Sequence, residues 1–212
     1  MGGSAEVAVL DALDESAVDA HAQAVAAEAG GIDVSLNLVN RGDVQGTALI
    51  DMTAADLSRA VTNGLIANFV SARAAARQMI KQGSGVILHL NSGSGRGAQP
   101  GMGSTGPADA ATETLMRYLA AELGPHGVRV LGLWIAGVPE TLSPEKLAAV
   151  NPSLQLDDAA VQGLIGHLDQ ARMTRRSPRL DQVVETLMFL ASDRAAGITG
   201  TMINVTAGMI AE

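Results

Sequence analysis

Three observations predict an α/β fold in which a mainly parallel sheet of about five strands is covered by helices. Short runs of Val, Leu and Ile alternate with longer amphipathic stretches, the pattern of buried parallel strands joined by helical crossovers. Hydrophobic residues make up 47% of the chain but aromatics only 2%, so the core is Ala, Val, Leu, Ile and Met, which suits helices lying close on a sheet. Twenty-four glycines supply the turns that so many crossovers need.

The elements follow in order. Val7-Ala8-Val9-Leu10 reads as a buried strand, and Asp14 as the N-cap of an Ala-rich helix stopped by Gly30-Gly31. Residues 33–39, from Asp33 to Val39, form the second strand. Thr53 caps a long helix over 54–80, and Gly83-Ser84-Gly85 turns the chain into the strand Val86–Leu90. A glycine-dense loop, Ser92-Gly93-Ser94-Gly95-Arg96-Gly97, precedes a helix over 107–124 and the strand 128–134. Residues 136–156 lose periodicity around Pro139, Pro144 and Pro152, with one or two short helices and Thr141 as an N-cap. A helix over 180–192 and a last strand over 201–205 complete a single domain spanning 1–212.

Composition removes several function classes. A net charge of −8 argues against nucleic acid; Arg172, Arg175, Arg176 and Arg179 are the nearest thing to a basic patch, and Asp169 and Asp181 flank them. The chain has no cysteine, hence no disulfide, thiolate metal site or thiol nucleophile. His21, His89, His126 and His167 lack metal-ligand spacing, so no metal site is expected. The first residues show no signal peptide and no apolar run reaches 18 residues, which gives the expectation of a cytoplasmic protein with no membrane span.

Four segments carry a resemblance. Phe189-Leu190-Ala191-Ser192-Asp193-Arg194 with Thr199-Gly200 and Ile203-Asn204-Val205 resembles a "FLASD…TGxxxxVDGG" ending. Tyr118–Leu123 through Gly127–Val130 resembles "LAxEL…GIRVN", Asp11–Asp14 resembles "DVTD", and Asp33–Asn37 resembles the start of "DxLVNNAG". In this order they resemble the short-chain dehydrogenase/reductase (SDR) superfamily over nearly the whole chain. The resemblance implies a truncated Rossmann-like three-layer sandwich lacking the first two βα units. Those units carry the superfamily's TGxxxGxG turn, which holds the cofactor pyrophosphate on backbone amides and a helix N-terminus. The glycines at 93–97 follow a later strand and substitute poorly for it. With those units missing, Val7–Leu10 is expected to slide in beside residues 34–39.

The superfamily's chemistry uses a tyrosine, a lysine four residues later that lowers the phenol's pKa, a serine and an asparagine. By the resemblance Ser92 keeps the serine position, Thr105 stands for the tyrosine, Asp109 for the lysine and Gly64 for the asparagine, with Asn63 adjacent. Asp109 and Glu113, four apart on one helix, read as a solvated face. These relic positions lead to the expectation of no intact catalytic set and no cofactor bound by this chain, NAD(P) residing in a partner subunit. The expected function is a non-catalytic subunit of a hetero-oligomeric dehydrogenase, resembling degenerate subunits of heteromeric hydroxyacyl-CoA dehydrogenases. The expected partner is an intact SDR homologue, or a second copy in a homodimer, meeting helices 54–80 and 107–124 through small residues such as Ala72 and Ala74–Ala76. The alternative is a cofactor-independent lyase, cyclase or isomerase whose pocket is lined by Ser92, Thr105, Asp109 and Glu140.

Overall fold

The computed structural model describes residues 3–211. Four parallel strands, β1 (Val34–Asn37), β2 (Gly85–Asn91), β3 (Val128–Trp134) and β4 (Met202–Asn204), lie in the order β1-β2-β3-β4. Six α-helices connect and cover them: α1 (Glu15–Ala29), α2 (Ala54–Gln82), α3 (Thr105–Leu123), α4 (Pro144–Val150), α5 (Asp158–Ala171) and α6 (Leu180–Ala191).

Local chemistry sets most boundaries. The Asp14 carboxylate accepts from the amides of Ser16 and Ala17, and the Thr53 hydroxyl accepts from Asp56 N. Gly30 and Gly83 close α1 and α2 at φ +84° and +73°, a backbone that side chains disfavour. The sheet has two covered faces. Ile87, Val128 and Val130 meet Ala72, Ala75, Ala76 and Met79 of α2 and Met116, Ala120 and Leu123 of α3. Val86, Leu88, Leu131 and Leu133 meet Val183 and Leu190 of α6 on the other face.

Four expectations change. Val7–Leu10 forms no strand, so the sheet has four strands rather than five; Val7 is 92% and Val9 99% exposed. The cause is the docking of α1: Val18 and Ala22 pack on Val70 and Ala74 of α2, while Glu15 and Asp19 pair with Arg73 and Arg77. That seat holds the segment before α1 across a groove of about 600 Å³ from β1, with Ala8 and Leu10 on one wall and Val34, Leu36 and Leu38 on the other. The strand edge is thus left open. Thr141 caps no helix; its hydroxyl donates to Val138 O, and Ser143 caps α4 by accepting from Lys146 N. Helix α5, capped by Asp157, lies between residues 156 and 180, where no element is expected. The small residues Ala72, Ala74, Ala75, Ala76, Ala108 and Ala120, expected between subunits, are buried within the chain.

Candidate active site

Three of the four residues expected at catalytic positions, Ser92, Asp109 and Gly64, converge at the C-terminal ends of β1 and β2, with α2 and α3 alongside. Asp109, on the first turns of α3, is fully buried at 0% exposure. One of its oxygens, Oδ2, accepts from the Ser92 hydroxyl (2.7 Å), Ser92 N (3.2 Å) and Ser94 N (3.1 Å). The other, Oδ1, accepts from Arg41 at 2.6 Å. Arg41 comes from the loop after β1 and also pairs with Asp43 at 2.8 Å. Burial opposes the guanidinium's charge, but Asp109 and Asp43 outweigh it and raise its pKa further.

Gly64 explains how Arg41 reaches this place. A Cβ at position 64 would lie 2.6 Å from Arg41 Cδ and 3.1 Å from its Cγ, so only glycine lets the arginine stem cross α2 there. Gly64 and Asp109 are therefore coupled: one admits the arginine and the other receives it.

A further asparagine, Asn68, lies one turn beyond Gly64 on α2. The buried Asn68 donates to Gly64 O at 2.8 Å, and its Oδ1 lies 3.0 Å from His89 Nδ1. An amide oxygen only accepts, so His89 carries its proton on Nδ1 and presents Nε2 as an acceptor. That Nε2 is buried without a partner among the described residues. Burial, together with the nearby Arg41 charge, pushes the imidazole down to about 4, so it is neutral at physiological pH. The 21-residue separation of Asn68 and His89 hid this pair from the sequence.

Glu113 corrects the expectation of a solvated carboxylate face. It is 2% exposed and accepts from Trp134 Nε1 (2.8 Å), Asn91 Nδ2 (3.2 Å) and Arg96 Nε (3.2 Å). Asp109 is paired by Arg41, and Glu113 by Arg96 at 3.2 Å and Arg117 at 3.9 Å. Thr105 accepts from Gln45 Nε2 at 3.0 Å, and Glu140 pairs with Arg179 instead of lining the site.

Two hollows meet this cluster. A cavity of about 210 Å³ is lined by Val39, Asn40, Arg41, Asp43, Asn68 and His89, together with the end of β2. A larger pocket of about 470 Å³ lies across the Ser92 loop, bounded by Ala48, Leu49, Ser94, Met102, Pro107 and Ala110. Ser94, which the sequence did not single out, opens on that pocket while its hydroxyl lies 2.6 Å from Ser92 Oγ.

The comparisons with known proteins give the class. A family model described as enoyl-(acyl carrier protein) reductase matches residues 1–210, so the chain belongs to that family and to the short-chain dehydrogenase/reductase superfamily of NAD(P)-dependent oxidoreductases. Among individual proteins it is similar to the enoyl-[acyl-carrier-protein] reductase [NADH] of Synechocystis sp., 31% identical over 93% of this chain and 72% of that protein. It is also similar to the 7alpha-hydroxysteroid dehydrogenase of Escherichia coli (strain K12), 27% identical over 100% of this chain and 77% of that protein. The solved structure of sorbitol-6-phosphate 2-dehydrogenase from Erwinia amylovora superposes with TM-score 0.80 and 26% identity, covering 96% of this chain and 78% of that one. These relatives bear the names of working oxidoreductases, which overturns the expectation of a non-catalytic subunit and, with it, the lyase, cyclase or isomerase alternative. The expectation that NAD(P) belongs only to a partner subunit falls on the same matches.

The residues present fit one end of a nicotinamide dinucleotide. The orphaned His89 Nε2 and the Arg41 guanidinium line a cavity suited to the hydroxyls of a nucleoside. No row of free amides for phosphates is found in the glycine loop: Gly93 N donates to Asn91 Oδ1, Ser94 N to Asp109, and Arg96 N and Gly97 N to Gly93 O. Gly95 also lies tight on α3, its Cβ position 2.9 Å from Ala110 N. Asp14 occupies the amides at the start of α1.

Proposed function

We propose that this chain is a nicotinamide-dependent oxidoreductase that interconverts an alcohol and a carbonyl on a largely apolar substrate. The observation that carries this is the pairing of two hollows on either side of the Ser92 loop, at the C-terminal strand ends, in a chain that a reductase family model matches over residues 1–210. Ligands of open α/β sheets bind at that end. The smaller hollow suits the nucleoside end of the cofactor, held by Arg41 and His89; the larger suits the substrate, its apolar walls excluding water and its one serine hydroxyl marking where an oxygen is held. When bound, the cofactor supplies or removes hydride.

Titration with NADH and NADPH, followed by quenching of Trp134, tests the binding; dissociation constants of about 1 μM to 1 mM are expected, the range of ordinary substrates. Absorbance at the reduced-nicotinamide band with a panel of ketones then tests turnover. No binding of either nucleotide and no consumption of it would refute the proposal. The proposal extends to assembly: α2 and α3 are taken to meet a second copy through outward residues such as Ile66, Phe69 and Tyr118, which equilibrium sedimentation checks.

A further inference from the structure

We propose that Ser94, Ser92 and Asp109 form a proton relay in which Ser94, not Ser92, is the hydroxyl that touches substrate. The inference rests on the oxidoreductase function above and names the residues that move its proton. The Ser92 hydroxyl donates to Asp109 Oδ2 at 2.7 Å, and its amide and that of Ser94 hold the same oxygen. Ser92 is therefore committed inward. The Ser94 hydroxyl lies 2.6 Å from Ser92 Oγ, whose remaining capacity is that of an acceptor. Ser94 also borders the 470 Å³ pocket, so the chain of three oxygens runs from the pocket to a buried carboxylate.

The backbone keeps the relay in place. Gly95 and Gly106 let the loop lie on the first turn of α3, with a Cβ at either position 2.9 Å from Ala110 N or 3.1 Å from Ser94 O. Arg41, 2.6 Å from Asp109 Oδ1, holds the far side of the carboxylate so that Oδ2 faces the serines. Within the relay Arg41 positions the carboxylate, and Ser94 is the group that touches substrate.

In the oxidation direction the substrate O–H bond breaks and its proton passes to Ser94 Oγ. The Ser94 proton passes to Ser92 Oγ and the Ser92 proton to Asp109 Oδ2. When bound, the oxidised nicotinamide would take the electron pair of the substrate C–H bond as hydride, and the C=O bond forms at the substrate carbon. Once the carbonyl product leaves, the proton returns along the same three oxygens to water in the pocket, and reduction runs each transfer backwards with the proton entering from that water. No phenol is needed, because a carboxylate ends the chain.

Two measurements test this without depending on each other. Phenylboronic acid is the first probe: in the wild-type protein Ser94 Oγ bonds to boron while its proton moves down the relay, giving a tetrahedral signal by 11B NMR. That signal is expected to vanish in Ser94→Ala and to weaken at least tenfold in Ser92→Ala. The second is oxidation of cyclohexanol with NAD+ or NADP+, where both variants are expected to lower kcat about 100-fold, the scale of general base catalysis. An adduct at Ser94 without nucleotide-dependent turnover upholds the relay and refutes the oxidoreductase function. Turnover unchanged in Ser94→Ala, with no adduct, overturns the relay alone. Neither signal overturns both.

Discussion

Replacing Arg41 with alanine leaves the Asp109 carboxylate fully buried with no cation. The guanidinium donates to Asp109 Oδ1 at 2.6 Å and holds Asp43 at 2.8 Å. Removing one partner of a buried ion pair costs about 3–5 kcal/mol, because the other charge stays desolvated. Asp109 Oδ2 keeps three donors, from Ser92 and Ser94, which places the cost near the lower end, about 3 kcal/mol. In a chain of this length that is a fall in Tm of about 6–12 °C. Urea unfolding monitored by Trp134 fluorescence is the assay, with an unchanged m-value showing that the native fold persists. The Arg41→Ala/Asp109→Asn double variant is expected to be less destabilised than the two single losses added together, by at least about 1.5 kcal/mol. A loss under about 1 kcal/mol for Arg41→Ala, or strict additivity in the cycle, would refute the assignment of this pair as the brace of the site.

Three further outcomes follow from the same geometry. Gly64→Ala, ordinarily a gain of about 1 kcal/mol inside a helix, is expected to cost about 1–3 kcal/mol here by pushing against Arg41; in the Arg41→Ala background the sign should reverse, which a second urea cycle reads. His89 is held at about 4 in the folded protein against 6.5 when free, so the unfolded chain binds its proton first. This favours folding above pH 6.5 and is lost as pH falls from 6.5 to 4, about 3 kcal/mol in all; His89→Asn should flatten that limb, and an imidazole titrating near 6.5 by NMR would contradict it. Glu113→Ala strands Trp134 Nε1 and Asn91 Nδ2, so a loss of about 3 kcal/mol and a changed Trp134 emission are expected, checked by the same fluorescence melts.

Local rules make much of the scaffold visible in the sequence. Asp14 and Thr53 announce their helices because a cap needs only the next three amides, and β2 and β3 announce themselves as short stretches rich in Val, Leu and Ile. The same rules misread Val7–Leu10, an apolar run that satisfies the strand pattern but is carried away from β1 by where α1 docks. They also misread Asp109 and Glu113, since helical spacing says which residues share a face and not what covers it.

By itself the sequence determined the class of fold, the order of β1 to β4 with α1, α2, α3 and α6 among them, and the superfamily. Only the tertiary structure decided what Asp109 means. Its partner Arg41 lies 68 residues away in sequence, and the glycine that admits the arginine lies on a third element. An ion pair of that kind leaves no periodicity behind. It exists only when the loop after β1, helix α2 and helix α3 are folded against one another, with water driven out and the two charges left to satisfy each other.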